Sequence, residues 1–108
     1  MPDNTIREAL ERNAKAVALR PSVGQKTGKT AVHLKPGLTC GVSEGAWSIT
    51  VGMGTAGGVE AGPGPGTLGR GALGSCLALS YAMWAARLGV VLDTVDVTVE
   101  ADYDSRDA

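Results

Sequence analysis

The run GALGSCLALSYAMWAA, Gly71 to Ala86, holds no charged residue and is closed off by Arg70 and Arg87. Its 16 residues fall short of the roughly 20 that a helix needs to cross a bilayer. It therefore reads as a buried helix, and the pattern extends it over residues 67–88, with Thr67 as its cap and Gly89 as its C′ glycine. Leu68, Ala72, Leu73, Leu77, Leu79, Tyr81, Met83, Trp84, Ala86 and Leu88 spread around nearly its whole circumference. A helix that is apolar all round has to be enclosed on most sides.

The remaining chain offers few elements to enclose it. Thr5 and Glu8 have capping-box spacing, and Ile6, Leu10, Ala14, Val17 and Ala18 then recur at helical intervals up to Pro21, which predicts a first helix over 5–19. Three alternating runs follow between residues 30 and 53: Val32 and Leu34; Leu38, Cys40 and Val42; Trp47, Ile49, Val51 and Met53. PG at 36–37 and EG at 44–45 supply the turns of an antiparallel meander with one wet face. Residues 54–66 are too rich in Gly and Pro for helix or ladder and read as a loop. Residues 94–103 alternate Val95, Val97, Val99 and Ala101 against Asp96, Thr98, Glu100 and Asp102, the pattern of a last strand. The fold class is α+β, one domain over residues 1–108, with a sheet packed around the central helix. One small sheet and one helix cannot cover that helix fully. Either a second subunit does so, or the chain is incomplete at its C-terminus.

Composition narrows the functional classes. Ten Lys and Arg against 11 Asp and Glu leave a formal charge of −1, so there is no basic field to attract nucleic acid. The N-terminus lacks the features of a secretory signal, which points to the cytoplasm. Cys40 and Cys76 are too few for a disulfide framework and read as reduced thiols, Cys40 as a small hydrophobe on the apolar side of the sheet. GQKTGKT at 24–30 has one residue too few for a phosphate loop and leads into a strand. GMGTAG at 52–57 is followed by no helix, and GPGTLG at 64–69 by no preceding strand, so neither is a dinucleotide fingerprint. His33 is the sole histidine, so no zinc pattern exists. No metal and no cofactor is expected.

That leaves Cys76. A thiolate is the reactive form of cysteine, and a free thiol is only a few per cent ionised near neutrality. Cys76 lies nine residues beyond Thr67, about 13 Å along the helix and past the reach of its N-terminal dipole. A nearby guanidinium is the usual remedy, and position alone favours a structural Cys76 over a reactive one.

The segment PGTLGRGALGSCLALSYAMWAARLGVVLDTVDVTVEADYD, Pro65 to Asp104, resembles the central part of the OsmC/Ohr family, the osmotically inducible and organic-hydroperoxide-resistance proteins. The likeness lies in the Pro-led start of a long helix, the small-residue-Cys step at its middle, and the Gly and Leu-Asp-x-Val strand that follow. It implies an OsmC-like α+β fold in which two subunits interlock as a homodimer, with sheets wrapped around the paired central helices. It also implies thiol-dependent reduction of organic hydroperoxides in oxidative-stress defence, with Cys76 as the attacking thiol and Arg20 as the candidate guanidinium. The partners expected are a second copy of the chain, a small hydroperoxide and a thiol reductant, with neither nucleic acid nor membrane. The family's peroxidases carry a Glu soon after the helix-opening Pro; here Gly66 and Thr67 follow Pro65. The resemblance also places a later helix with a resolving cysteine beyond Ala108. The alternative function is a catalytically impaired or truncated scaffold that only dimerises or binds an apolar ligand.

Overall fold

The computed structural model describes residues 4–53, 61–104 and 106. In chain order they form α1 (Asn4–Leu19), a 3-10 turn (Pro21–Gly24), β1 (Ala31–Lys35), β2 (Thr39–Glu44), β3 (Trp47–Gly52) and α2 (Pro65–Leu88). This is an α+β arrangement of one antiparallel sheet and two helices. The chain divides into two compact units, Lys26–Gly69 and Met1–Gln25 with Arg70–Ala108. Most of the Gly/Pro loop read over 54–66 lies outside the described residues.

The first unit is built on the sheet, in the order β1-β2-β3. Leu34 pairs with Cys40 and Cys40 with Val51, while Val42 faces Val32 and Ile49. With a side-chain period of two, this register puts Val32, Leu34, Cys40, Val42, Ile49 and Val51 on one face. His33, Lys35, Ser43, Ser48 and Thr50 take the other. Pro36 to Leu38 make the first turn, with Gly37 and Leu38 at positive φ, and the Thr39 hydroxyl donates to the Pro36 carbonyl at 3.1 Å. Gly45, φ 58°, opens the two-residue turn between Glu44 and Trp47, as the twist of a hairpin requires. On the far side of β3, the Gly52 N–H donates to the Pro63 carbonyl at 3.1 Å. Gly62 lies so close against Thr50 that a Cβ there would collide with the Thr50 carbonyl. The chain therefore covers this edge with its own backbone.

In the second unit α1 begins at Asn4, which moves Thr5 inside the first turn. It stops before Pro21: the residue preceding a proline is pushed out of the helical region, and Arg20 sits at φ −136°, ψ 89°. The 3-10 turn folds back so that the Val17 methyls lie 3.4 and 3.5 Å from a Cβ placed at Gly24. Ile6, Val17 and Leu19 stay exposed.

Residues 94–103, read from their alternation as a strand, form none: the strands among the described residues all lie within 31–52. Alternation supplies one apolar face, but a strand exists only through the ladder it shares with a neighbour. The expected enclosure of α2 is also lacking in the single chain. Among the described residues Val51 is the one buried hydrophobic side chain, and Gly74 the one buried residue of α2. No helix among the described residues is long and apolar enough to cross a membrane.

Candidate functional site

The candidate site rests on α2. The helix starts at Pro65, two residues ahead of the expected Thr67 cap. Proline at the first helical position gives up an N–H that has no intrahelical acceptor anyway, and the first bond runs from the Leu68 N–H to the Gly64 carbonyl at 3.2 Å. The helix ends where Gly89 reaches φ 68°. There the Val90 N–H donates to Ala85 O at 2.8 Å and the Gly89 N–H to Ala86 O at 3.3 Å. That pair of bonds is the Schellman stop that a C′ glycine provides. Arg7, held by Glu11 at 3.2 Å, brings its guanidinium to 3.5 Å from a Cβ placed at Gly89. A cation is favourable at this end of the dipole.

The segment after α2 turns back onto one stripe of the helix. A Cβ added at Gly74 would stand 3.3 Å from Val99 and 3.8 Å from Val97. Ala78 and Ala85, one and three turns further on, are half-buried. Cys76 is two residues from Gly74, about 200° around the axis, and so faces away from this cover. It is exposed, as are Leu73 and Leu79, one turn before and after it, and the adjoining Leu77. Towards the C-terminal end Trp84 is exposed, with the Arg87 guanidinium 4.9 Å from its ring centre.

Arg20 stands where α1 ends and is exposed. Its backbone N–H donates to Ala16 O at 2.9 Å and its carbonyl accepts from Val23 N at 3.0 Å. No hydrogen bond joins its side chain to Cys76. Cys40, half-buried on β2, is a free thiol between Leu34 and Val51. Among the described residues no three His, Cys, Asp or Glu side chains gather as metal ligands.

A hollow of about 150 Å³ lies on the sheet, bounded by Thr30, Val42, Glu44, Trp47 and Ile49. The Thr30 hydroxyl donates to the Glu44 carboxylate at its rim. The two-residue turn after Glu44 was the signal for it in the sequence, because that turn makes Glu44 and Trp47 cross-strand neighbours.

Residues 56–108 match the family model for OsmC-like protein. Through this segment the chain is OsmC-like. The matched OsmC-like residues include all of α2, Cys76 and the segment that packs on Gly74. No curated protein and no solved structure gives a significant match to the chain.

Proposed function

We propose that the chain is an OsmC-like thiol-dependent reductant of organic hydroperoxides, working as an interlocked homodimer in the cytoplasm with Cys76 as its reactive residue. The observation that carries this reading is the position of Cys76: midway along the OsmC-like helix, on the side that the chain's own C-terminal segment leaves open. The Cys76 thiolate attacks one peroxide oxygen and the O–O bond breaks. Sulfur is oxidised to a sulfenic acid, and the departing alkoxide takes up a proton to become the alcohol. A small thiol then condenses with the sulfenic acid, releasing water and leaving a mixed disulfide. A second thiol frees Cys76 and departs as the disulfide of the reductant. Arg20 is the guanidinium proposed to approach the thiolate in the assembled protein.

Exposure along α2 supports the dimer. Leu73, Leu77, Leu79, Tyr81, Met83, Trp84 and Leu88 range from 37% to 70% exposed. Burying a large apolar side chain is worth about 1.5–3 kcal/mol, so covering seven of them recovers on the order of 10 kcal/mol. A whole domain is held together by a margin of that size, about 5–15 kcal/mol. A lone copy forgoes it, and a second copy that covers this face supplies both the missing enclosure and the apolar surroundings that an organic peroxide needs.

The alternative, a scaffold without turnover, is favoured by Gly66 and Thr67 standing where the resemblance implies a Glu. Consumption of cumene hydroperoxide with a dithiol reductant separates the two. Turnover by the native chain that disappears in Cys76→Ser supports the peroxidase; a native chain that consumes no peroxide, and gives no sulfenic-acid adduct after one equivalent, overturns it.

A further inference from the structure

Within the strands, the side chains that share a face with Val32, Val42 and Ile49 are apolar but for one, Glu44. His33 and Lys35 take the opposite face, so no cation of the strands stands beside that carboxylate. Among the described residues the ion pairs are Arg7–Glu11 and Asp104–Arg106, which leaves Glu44 without a charged partner.

Glu44 is part of the hollow on this sheet, of about 150 Å³, whose other walls are Thr30, Val42, Trp47 and Ile49. Two features prepare it for a ligand. The Thr30 hydroxyl donates to the carboxylate and so restricts its orientation. The turn at Gly45 makes Glu44 and Trp47 direct cross-strand neighbours, a pairing that sets Cβ atoms about 5 Å apart, and Trp47 is 83% exposed. The chain's other tryptophan, Trp84, already has a cation on it, the Arg87 guanidinium 4.9 Å from the ring centre. Among the described residues Trp47 has none.

We propose that this hollow binds a small organic cation, an alkylammonium whose charged head sits between the Glu44 carboxylate and the Trp47 ring and whose alkyl part lies on Val42 and Ile49. An aromatic ring attracts a cation through its quadrupole, and tryptophan does so best. The carboxylate supplies the opposite charge, and the aliphatic floor rewards the alkyl part by taking it out of water. Other ligand classes fit less well. An anion meets the charge of Glu44, and a neutral apolar molecule strips water from the carboxylate without replacing it. A hard metal ion needs several oxygen ligands, and no cluster of metal-ligating side chains occurs among the described residues. The residues of the hollow all belong to the sheet unit and Cys76 belongs to the other, so the site goes beyond the peroxidase reading and does not depend on it.

Choline, titrated into the full chain and followed by NMR at the two tryptophan indole N–H groups, tests the site. The comparison ligand is 3,3-dimethylbutan-1-ol, which has the same shape with carbon in place of the charged nitrogen. The Trp47 signal, identified as the one lost in Trp47→Leu, is expected to shift saturably with choline while the Trp84 signal stays in place. The uncharged isostere on the native chain, and choline on Glu44→Gln, are each expected to bind about three- to tenfold more weakly. If Trp47→Leu loses its fold by circular dichroism, Trp84→Phe identifies the two signals instead. Glu44→Gln, which keeps the size of the side chain and an oxygen for the Thr30 hydroxyl, then carries the comparison. A Trp47 signal that choline does not move overturns the site. An isostere that binds as tightly as choline, or a Glu44→Gln chain that binds choline like the native one, shows an apolar surface indifferent to charge and overturns it equally. Peroxide consumption is a separate readout: its absence leaves this site standing, and absence of choline binding leaves the peroxidase standing.

Discussion

In the sheet unit β2 is hydrogen-bonded on both sides, and the outer edge of β3 reaches the Pro63 carbonyl, so most backbone groups find partners within some 40 residues of chain. In the helical unit the two helices close their own backbone bonds, down to the Schellman pair at Gly89 and Val90, yet the side chains of α2 are not covered: Leu79, Trp84 and Leu88 stand in water. Hydrogen bonds of a helix are closed within itself, so a helix forms whether or not its apolar surface is covered. The backbone ladder of the sheet unit can thus be judged from one chain, although its Val32, Leu34 and Trp47 are as exposed as the apolar residues of α2. A central helix of this composition has to be judged from its assembly.

Breaking the second half of that comparison has the largest expected effect. Leu73→Glu combined with Leu77→Glu places two carboxylates beside Cys76 on the exposed face of α2. If the face is covered in a dimer, the charges are buried without partners, at a cost of roughly 3 kcal/mol or more, and self-association falls at least a hundredfold by light scattering. Unchanged mass at micromolar concentration defeats the enclosure of this face, and the interlocked homodimer with it.

A smaller effect, confined to the sheet unit, comes from Gly62→Ala. The new methyl meets the Thr50 carbonyl, and the loop has to move off the β3 edge, breaking the bond from Gly52 to Pro63. Displacements of this kind cost about 1–3 kcal/mol. Because the contact lies within one unit of one chain, the loss in urea stability is intrinsic and is measured on the dissociated chain. Stability equal to that of the native protein shows that the segment does not hold this edge.

Legibility in the sequence follows the same division. The α+β class, the meander and its turns were readable because a two-residue period, PG at 36–37 and EG at 44–45 are local signals, and pairing partners lie a few residues apart. The stop of α2 at Gly89 was equally local. Its start was misplaced because Thr67 is a good cap, but Pro65 is a better first residue and outcompeted it. Residues 94–103 have the alternation of a strand and no ladder, since the pattern specifies a face and says nothing about which chain supplies the neighbour. Cys76 is the extreme case: its residue type and its place in an OsmC-like segment were readable, while its surroundings depend on groups outside its own helix. No spacing rule brings Arg20 to it.

The smallest effect concerns Asp104, the acidic residue of the C-terminal segment that has a charged partner among the described residues. Asp104 accepts hydrogen bonds from the Arg106 side chain at 2.7 Å and from its backbone N–H at 2.9 Å. These hold its carboxyl below the usual carboxylate range, the guanidinium contributing more than the N–H. A lowered folded-state pKa means that the contact favours the ordered segment above the ordinary aspartate pKa and is lost as pH falls through the lowered value. Both groups are fully solvated, so the consequence is local and screened by salt. Arg106→Ala removes the larger of the two influences, and the Asp104 titration, followed by carboxyl carbon NMR, is expected to move up towards the ordinary aspartate value while the association constant stays put. A titration that does not move shows the pair to be unformed in solution. A changed association constant shows Arg106 to be part of the contact between copies.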